Sequence, residues 1–210
     1  MIKPNIGIID YGVGNLRNLV NAFKQLEINV KIVNCKENYK NLNAIVLPGV
    51  GAFPYAMDVL QQYDAINLLK EFSKTKPILG ICLGMQLLFT KSFELGLTNG
   101  LNFLPGNVVN LKNFNKSTNK LKVPSIGWHK LEFIQNSSLL NNQNSYFYFA
   151  HSYALDKDSV DQKVITSFYN LNSFQVIATV QHNYIYGTQF HPEKSGISGI
   201  ELLKNFINII

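Results

Sequence analysis

The chain has 210 residues, a formal charge of +6 from 19 basic and 13 acidic side chains, and 46% apolar and 12% aromatic residues. A chain of this length buries about 70% of its unfolded surface in one body, and the composition excludes a disordered, collagen-like or disulfide-framed protein. The basic residues are scattered, "KNFNKSTNKLK" (112–122) reads as a solvated loop, and no run reaches the roughly 18 apolar residues that span a bilayer, so no nucleic acid and no membrane partner is expected.

"NIGIID" (5–10) reads as a short buried strand, followed by glycines and then by Leu16, Leu19, Val20, Phe23 and Leu26 at helical spacing. "VKIVN" (30–34), "AIVLPG" (44–49) and "PILGIC" (77–82) are three more strand-like runs, with a helix expected over 54–72. This βαβ repetition predicts an α/β fold with a parallel sheet and helices on both faces. After about residue 100 the pattern changes to strands at 105–112, 145–150, 163–168, 174–181 and 184–190, which predicts antiparallel pairs. A last helix is expected with Ser195 or Ser198 as its cap and Ile200, Leu203, Phe206, Ile207 and Ile210 toward the core. Nothing resembling a linker divides the chain, so residues 1–210 are read as one domain.

Cys35 and Cys82 are the only cysteines, too far apart for a disulfide framework and without zinc-ligand spacing. The N-terminal "MIKPNIGIID" lacks the apolar region of a signal peptide. A cytoplasmic, metal-free protein is expected.

Cys82 lies in "GICLG" (80–84), where an apolar strand gives way to a run with apolar Leu87, Leu88 and Phe89, expected to be a helix. A strand-to-helix elbow of this kind presents a nucleophile above the sheet, and a helix N-terminus favours a thiolate. An inert core cysteine is the equally open alternative. A nucleophilic thiol needs a base, and the base an orienting group. His191 stands in "GTQFHPEKS" (187–195), two residues before Glu193, which makes Cys82, His191 and Glu193 a candidate triad; a lone His beside proline also fits a surface turn. His151, His182 and His129 lack the following Pro-Glu pair.

The elbow and the distant "HPE" together resemble the class I glutamine amidotransferases. The resemblance runs over nearly the whole chain, and "IIDYGVGNLRN" (8–18), "LPGVGAF" (47–53), "VPSIGW" (123–128) and "YFYFAHSY" (146–153) are similar to the histidine-pathway branch of that family. It implies a class I glutaminase-like three-layer fold with a central mostly parallel sheet and an antiparallel C-terminal portion. It further implies that Cys82 attacks the side-chain amide of glutamine, that His191 and Glu193 complete the triad, and that the N–H groups of Leu83 and Val50 form the oxyanion hole. Gly51, Gln86, Glu94, His151, Ser152 and Tyr153 would hold the substrate. No cofactor is implied.

The chain carries no phosphate-binding loop and no synthetase segment, so ammonia must pass to another polypeptide. In the resembled branch that partner is a (β/α)8-barrel cyclase bound as a heterodimer, and Asn15, Trp128, Tyr148 and Lys194 match the interface positions. Three features depart from the pattern: His129 stands where the branch usually has Asn, Ser125 replaces a larger polar residue, and "TKSFE" (90–94) is less acidic than usual. They keep a paralogous glutaminase feeding a sugar-modifying amidotransferase in view, alongside an inactive regulatory or scaffold subunit and a free-standing cysteine hydrolase.

Overall fold

The computed structural model describes residues 3–12, 16–114, 121–140 and 145–210. The apolar runs form β1 (Ile6–Asp10), β2 (Val30–Asn34), β3 (Ala44–Leu47) and β4 (Ile78–Ile81). β3 and β4 are buried at every position, which is why they read as unbroken apolar stretches rather than alternating ones. Between them lie α1 (Leu16–Gln25), α2 (Phe53–Gln62) and α3 (Ala65–Phe72). The helix expected over 54–72 is therefore two: Asp64 takes a left-handed conformation at φ 54°, and its N–H bonds back to the Gln61 carbonyl. Aspartate is one of the few residues that visits this region at low cost.

The second half supplies β5 (Phe89–Ser92), β6 (Thr98–Asn99), β7 (Leu104–Asn110), β8 (Ser125–Phe133), β9 (Tyr146–His151), β10 (Tyr153–Leu155), β11 (Ile165–Leu171), β12 (Phe174–His182) and β13 (Ile185–Thr188). Among the described residues, nine strands form one sheet in the order β2-β1-β3-β4-β13-β12-β11-β8-β9. It is parallel from β2 to β13 and antiparallel from β13 to β9, as the change of texture near residue 100 predicts. The inward residues of β3 show the layering: Ile45 and Leu47 join a core with Phe53, Leu60 and Leu69, whereas Ala44 and Val46 join one with Leu19 and Phe23. Leu202, Leu203 and Phe206 of α5 (Gly196–Ile209) belong to the latter. One face of the sheet is thus covered by α2 and α3, the other by α1 and α5.

Three expectations change. The helix after Cys82, α4 (Leu83–Leu87), is only five residues long. The N–H groups of Leu101, Phe103 and Asn102 take the carbonyls of Leu87, Leu88 and Phe89, so the apolar run leaves the helix and becomes β5 of a second sheet, ordered β10-β7-β5-β6. Ser195 does not cap α5 with its side chain; its hydroxyl donates to the His191 carbonyl at 2.6 Å and accepts from the Tyr148 N–H at 2.9 Å. Ile210 is 37% exposed rather than in the core, and Leu202, not among the expected core positions, is fully buried.

Candidate active site

Cys82 occupies the turn between β4 and α4 with φ 50° and ψ −105°, a conformation that L-residues rarely adopt. The turn is held because its N–H donates to the Thr188 carbonyl at 2.6 Å and because its neighbours lack side chains. A Cβ on Gly80 would stand 2.6 Å from backbone atoms of Gly84 and Met85, and one on Gly84 would run into the Leu47 carbonyl. Only glycines let the helix pack this closely on β3 and β4, and the result is a strained strand-to-helix elbow.

Strand register brings the second segment alongside. β13 runs parallel to β4 with Gly187 opposite Gly80 and Thr188 opposite Ile81, so the chain leaving β13 passes the elbow before turning through Pro192–Lys194. His191 is anchored by its N–H to the Tyr148 carbonyl at 2.9 Å. Its Nδ1 lies 2.9 Å from Glu193 Oε1, leaving Nε2, which has no hydrogen-bond partner among the described residues, for the Cys82 side. Burial favours the neutral imidazole, but the Cys82 sulfur and the Glu193 carboxylate outweigh it and raise the group to about 10. Both neighbours thus favour the protonated imidazole.

The competing histidines are otherwise engaged. His151 Nδ1 is 2.8 Å from the Tyr153 carbonyl and Nε2 is 2.9 Å from the Tyr169 hydroxyl. A carbonyl only accepts, so Nδ1 carries the proton. Burial lowers His151 to about 4, which keeps it neutral. His129 stacks against Tyr169 at 4.6 Å between ring centroids, and burial lowers it as well. His182 is exposed and bonds to Asn183.

A cavity of about 280 Å³ opens over Cys82. Val50, Gly51, Leu83, Gln86, Glu94, His151, Ser152 and Tyr153 all line it, so all eight expected oxyanion and substrate positions are brought together around the thiol. Two of them are tied to other duties. Gln86 Nε2 donates to the Tyr153 carbonyl at 2.9 Å and to Gln189 Oε1 at 3.1 Å, which occupies both its protons. Glu94 Oε2 accepts the Phe53 N–H at 2.9 Å, bracing the start of α2. Two residues beside the site were not among those singled out in the sequence. Gln189 Nε2 is 3.5 Å from Cys82 Sγ; its place two residues before His191 was the available signal. Tyr11, whose hydroxyl donates to the Pro48 carbonyl, reads in sequence as an ordinary core aromatic.

The residues expected at a partner interface also cluster. Trp128 is 53% exposed and pairs across β8 and β9 with Tyr148, the rings edge to face at 6.0 Å. Lys194 Nζ stands 5.8 Å from the Tyr148 ring centroid. Asn15 lies outside the described residues. The same strand, β9, presents the Tyr148 ring outward and its backbone inward to His191 and Ser195, so this surface is one residue deep from the triad.

The profile of the family described as glutamine amidotransferase class-I matches residues 7–209. The chain belongs to the class I glutamine amidotransferases. Its relatives include imidazole glycerol phosphate synthase subunit HisH of a Geobacillus species, 44% identical over 98% of this chain and 97% of that protein. The HisH subunits of Caldanaerobacter subterraneus and Bacillus cereus are 42% and 41% identical, each over 98% of this chain and over 98% and 95% of their own length. Among solved structures, a glutamine amidotransferase superposes with a TM-score of 0.75 at 18% identity, over 97% of each chain. PurLQS from Thermotoga maritima superposes with 0.73 at 19%, over 99% of each chain. These two likenesses speak for the fold, the α/β amidotransferase architecture that the sequence led us to expect.

Proposed function

We propose that this chain is the glutaminase subunit of an imidazole glycerol phosphate synthase. It hydrolyses glutamine and hands the ammonia to a (β/α)8-barrel cyclase partner in a heterodimer. The observation that carries the reading is the convergence of Cys82 and the His191–Glu193 pair beneath a cavity of about 280 Å³, in a chain whose relatives at 41–44% identity bear the HisH name. That name favours the histidine branch over the sugar-modifying paralogue, and the intact triad speaks against a scaffold subunit. His129 and Ser125, two of the three departures from the branch, both contact Tyr169, His129 through its ring and Ser125 through its hydroxyl.

In this reading the Cys82 sulfur attacks the glutamine amide carbon, forming a C–S bond and placing negative charge on the former carbonyl oxygen. The Leu83 and Val50 N–H groups receive that charge; one such donor is worth about 10²–10³ in rate. The protonated His191 ring gives its proton to the departing nitrogen, the C–N bond breaks, and ammonia leaves a γ-glutamyl thioester. His191, now neutral, takes a proton from water as its oxygen attacks the thioester, and C–S cleavage releases glutamate and restores the thiolate. Glu193 holds the ring and offsets its charge throughout. Glu94 and the 151–153 segment bind the amino-acid end of glutamine, with Gly51 and the Gln86 carboxamide oxygen closing the cavity around it. Trp128, Tyr148, Lys194 and Asn15 meet the partner.

The residues form one glutaminase domain acting in the cytoplasm; no helix among the described residues is long and apolar enough to cross a membrane. Reconstitution with a histidine-pathway barrel subunit tests the reading. Cys82→Ala should abolish glutamine-dependent product formation and leave ammonia-dependent formation intact. Glutamine-dependent turnover by that variant would remove Cys82 as the nucleophile.

A further inference from the structure

We propose that Tyr11 is a positioning residue for the oxyanion donor, pinning the Pro48 end of the 48–53 segment while Glu94 pins its far end. The proposal rests on the glutaminase reading and concerns a residue outside the cavity lining. Tyr11 follows β1 directly and is completely buried. Its ring packs in the core that holds Cys35 and Leu47, a task phenylalanine would fill equally well. The hydroxyl is the part that packing does not require, and it donates to the carbonyl of Pro48.

That carbonyl belongs to the Pro48–Gly49 peptide, the unit immediately before the one that carries the Val50 N–H. Gly49 lies against the elbow so closely that a Cβ would collide with the Ile81 carbonyl and stand 2.6 Å from the Leu83 nitrogen. The two oxyanion donors therefore sit on backbones in contact with each other, and their separation depends on how Pro48–Gly49 is oriented. At the other end, Glu94 Oε2 holds the Phe53 N–H at 2.9 Å, which fixes the Ala52–Phe53 peptide. Between the two pins only the Gly49–Val50, Val50–Gly51 and Gly51–Ala52 peptides are left to turn. Gly51 sits at φ 125°, where only glycine is unstrained, and Val50 is 39% exposed.

The phenol is suited to this task because it keeps its proton. Burial, reinforced by Cys82, Cys35 and Asp10, pushes its ionisation well above the usual tyrosine value, so the donor persists at every pH at which the enzyme works. Without it, a buried carbonyl loses its partner, and a peptide plane left unsatisfied turns to find another. Rotation of that plane carries the next peptide, and with it the Val50 N–H, off the position where charge develops.

The test compares the unaltered heterodimeric complex with the Tyr11→Phe complex in glutamine kcat and KM, in inhibition by glutamate γ-semialdehyde, whose tetrahedral adduct places an oxygen in the hole, and in Cys82 alkylation by iodoacetamide. The expected result is a kcat about tenfold lower, part of the 10²–10³ that full loss of a donor brings. KM should stay within about twofold, aldehyde inhibition should weaken in step with kcat, and alkylation should be unchanged. An unchanged kcat would overturn the proposal. So would parallel loss of kcat, KM and alkylation, or failure of Tyr11→Phe to fold, since the phenol would then serve the core and not the loop. Glutamine turnover by the unaltered complex reports separately on the glutaminase reading: its absence defeats that reading, whereas the ratio between the two complexes reports only on the pin.

Discussion

Glu193 Oε1 stands 2.9 Å from His191 Nδ1 with only 8% and 1% of the two side chains in contact with solvent. In that setting the carboxylate both selects the tautomer and, with the Cys82 sulfur, raises the imidazole from its ordinary 6.5 to about 10 despite burial. Because the folded value lies above the unfolded one, the proton's contribution to stability is complete below about pH 6.5 and is lost as pH rises through about 10. In NMR titrations the His191 ring should stay protonated past pH 8, and its midpoint should fall in Cys82→Ser and in Glu193→Gln. Glu193→Gln should also lower kcat by about 10²–10⁴, the range seen when a base loses its orienting carboxylate. A ring that titrates near 6.5 in the unaltered protein would contradict the arrangement.

The two cysteines should differ sharply in reactivity. Cys35 is 1% exposed, its Sγ faces the Asp10 carbonyl at 3.4 Å, and burial with the nearby Asp10 charge raises its thiol to about 11. Cys82 faces the cavity. A chloroketone analogue of glutamine at pH 8 should label Cys82 alone, read by peptide mass spectrometry, and free glutamine should slow the labelling. Label on Cys35 would reverse the assignment.

Gly84→Ala should damage the fold before it damages the chemistry. The added Cβ would meet the Leu47 carbonyl, a backbone atom of a fully buried strand that cannot move aside. A loss of about 3 kcal/mol or more is expected, the upper range for overpacking a core, measurable as a lower urea midpoint. Stability within about 0.5 kcal/mol of the original would mean that the elbow is looser than its geometry.

Trp128→Ala and Lys194→Ala should act on association and not on folding. Trp128 is 53% exposed and Lys194 is partly exposed, so the thermal midpoint of the isolated chain should hardly change, as is usual for surface positions. A central aromatic anchor is worth about 2 kcal/mol or more, so the Kd for the barrel subunit should rise about 30-fold in Trp128→Ala. Isothermal titration calorimetry with unchanged Kd in both variants would place the interface elsewhere.

The parallel half of the sheet was legible in the sequence because strands buried on both faces, such as Ala44–Leu47 and Ile78–Ile81, must be apolar at every position. The triad was legible because a nucleophile elbow and a His-Pro-Glu turn are local conformations with local residue requirements. β8 was not, since its burial pattern alternates irregularly and its pairing with β9 involves residues about 20 positions away. The short length of α4 was equally hidden, because the N–H groups that end it come from Leu101–Phe103. Likewise, no local signal distinguishes Tyr11 from a core ring, only a place two residues before His191 marks Gln189 among strand polar residues, and nothing local tells Ser195 from a helix cap. Their hydrogen bonds run to Pro48, Cys82 and Tyr148, partners separated by 37, 107 and 47 positions in the chain. Residue type and near-neighbour spacing thus determined the strands, the elbow and the candidate chemistry, whereas which donors meet which acceptors was decided only when folding brought distant backbone and side-chain groups within about 3 Å of one another.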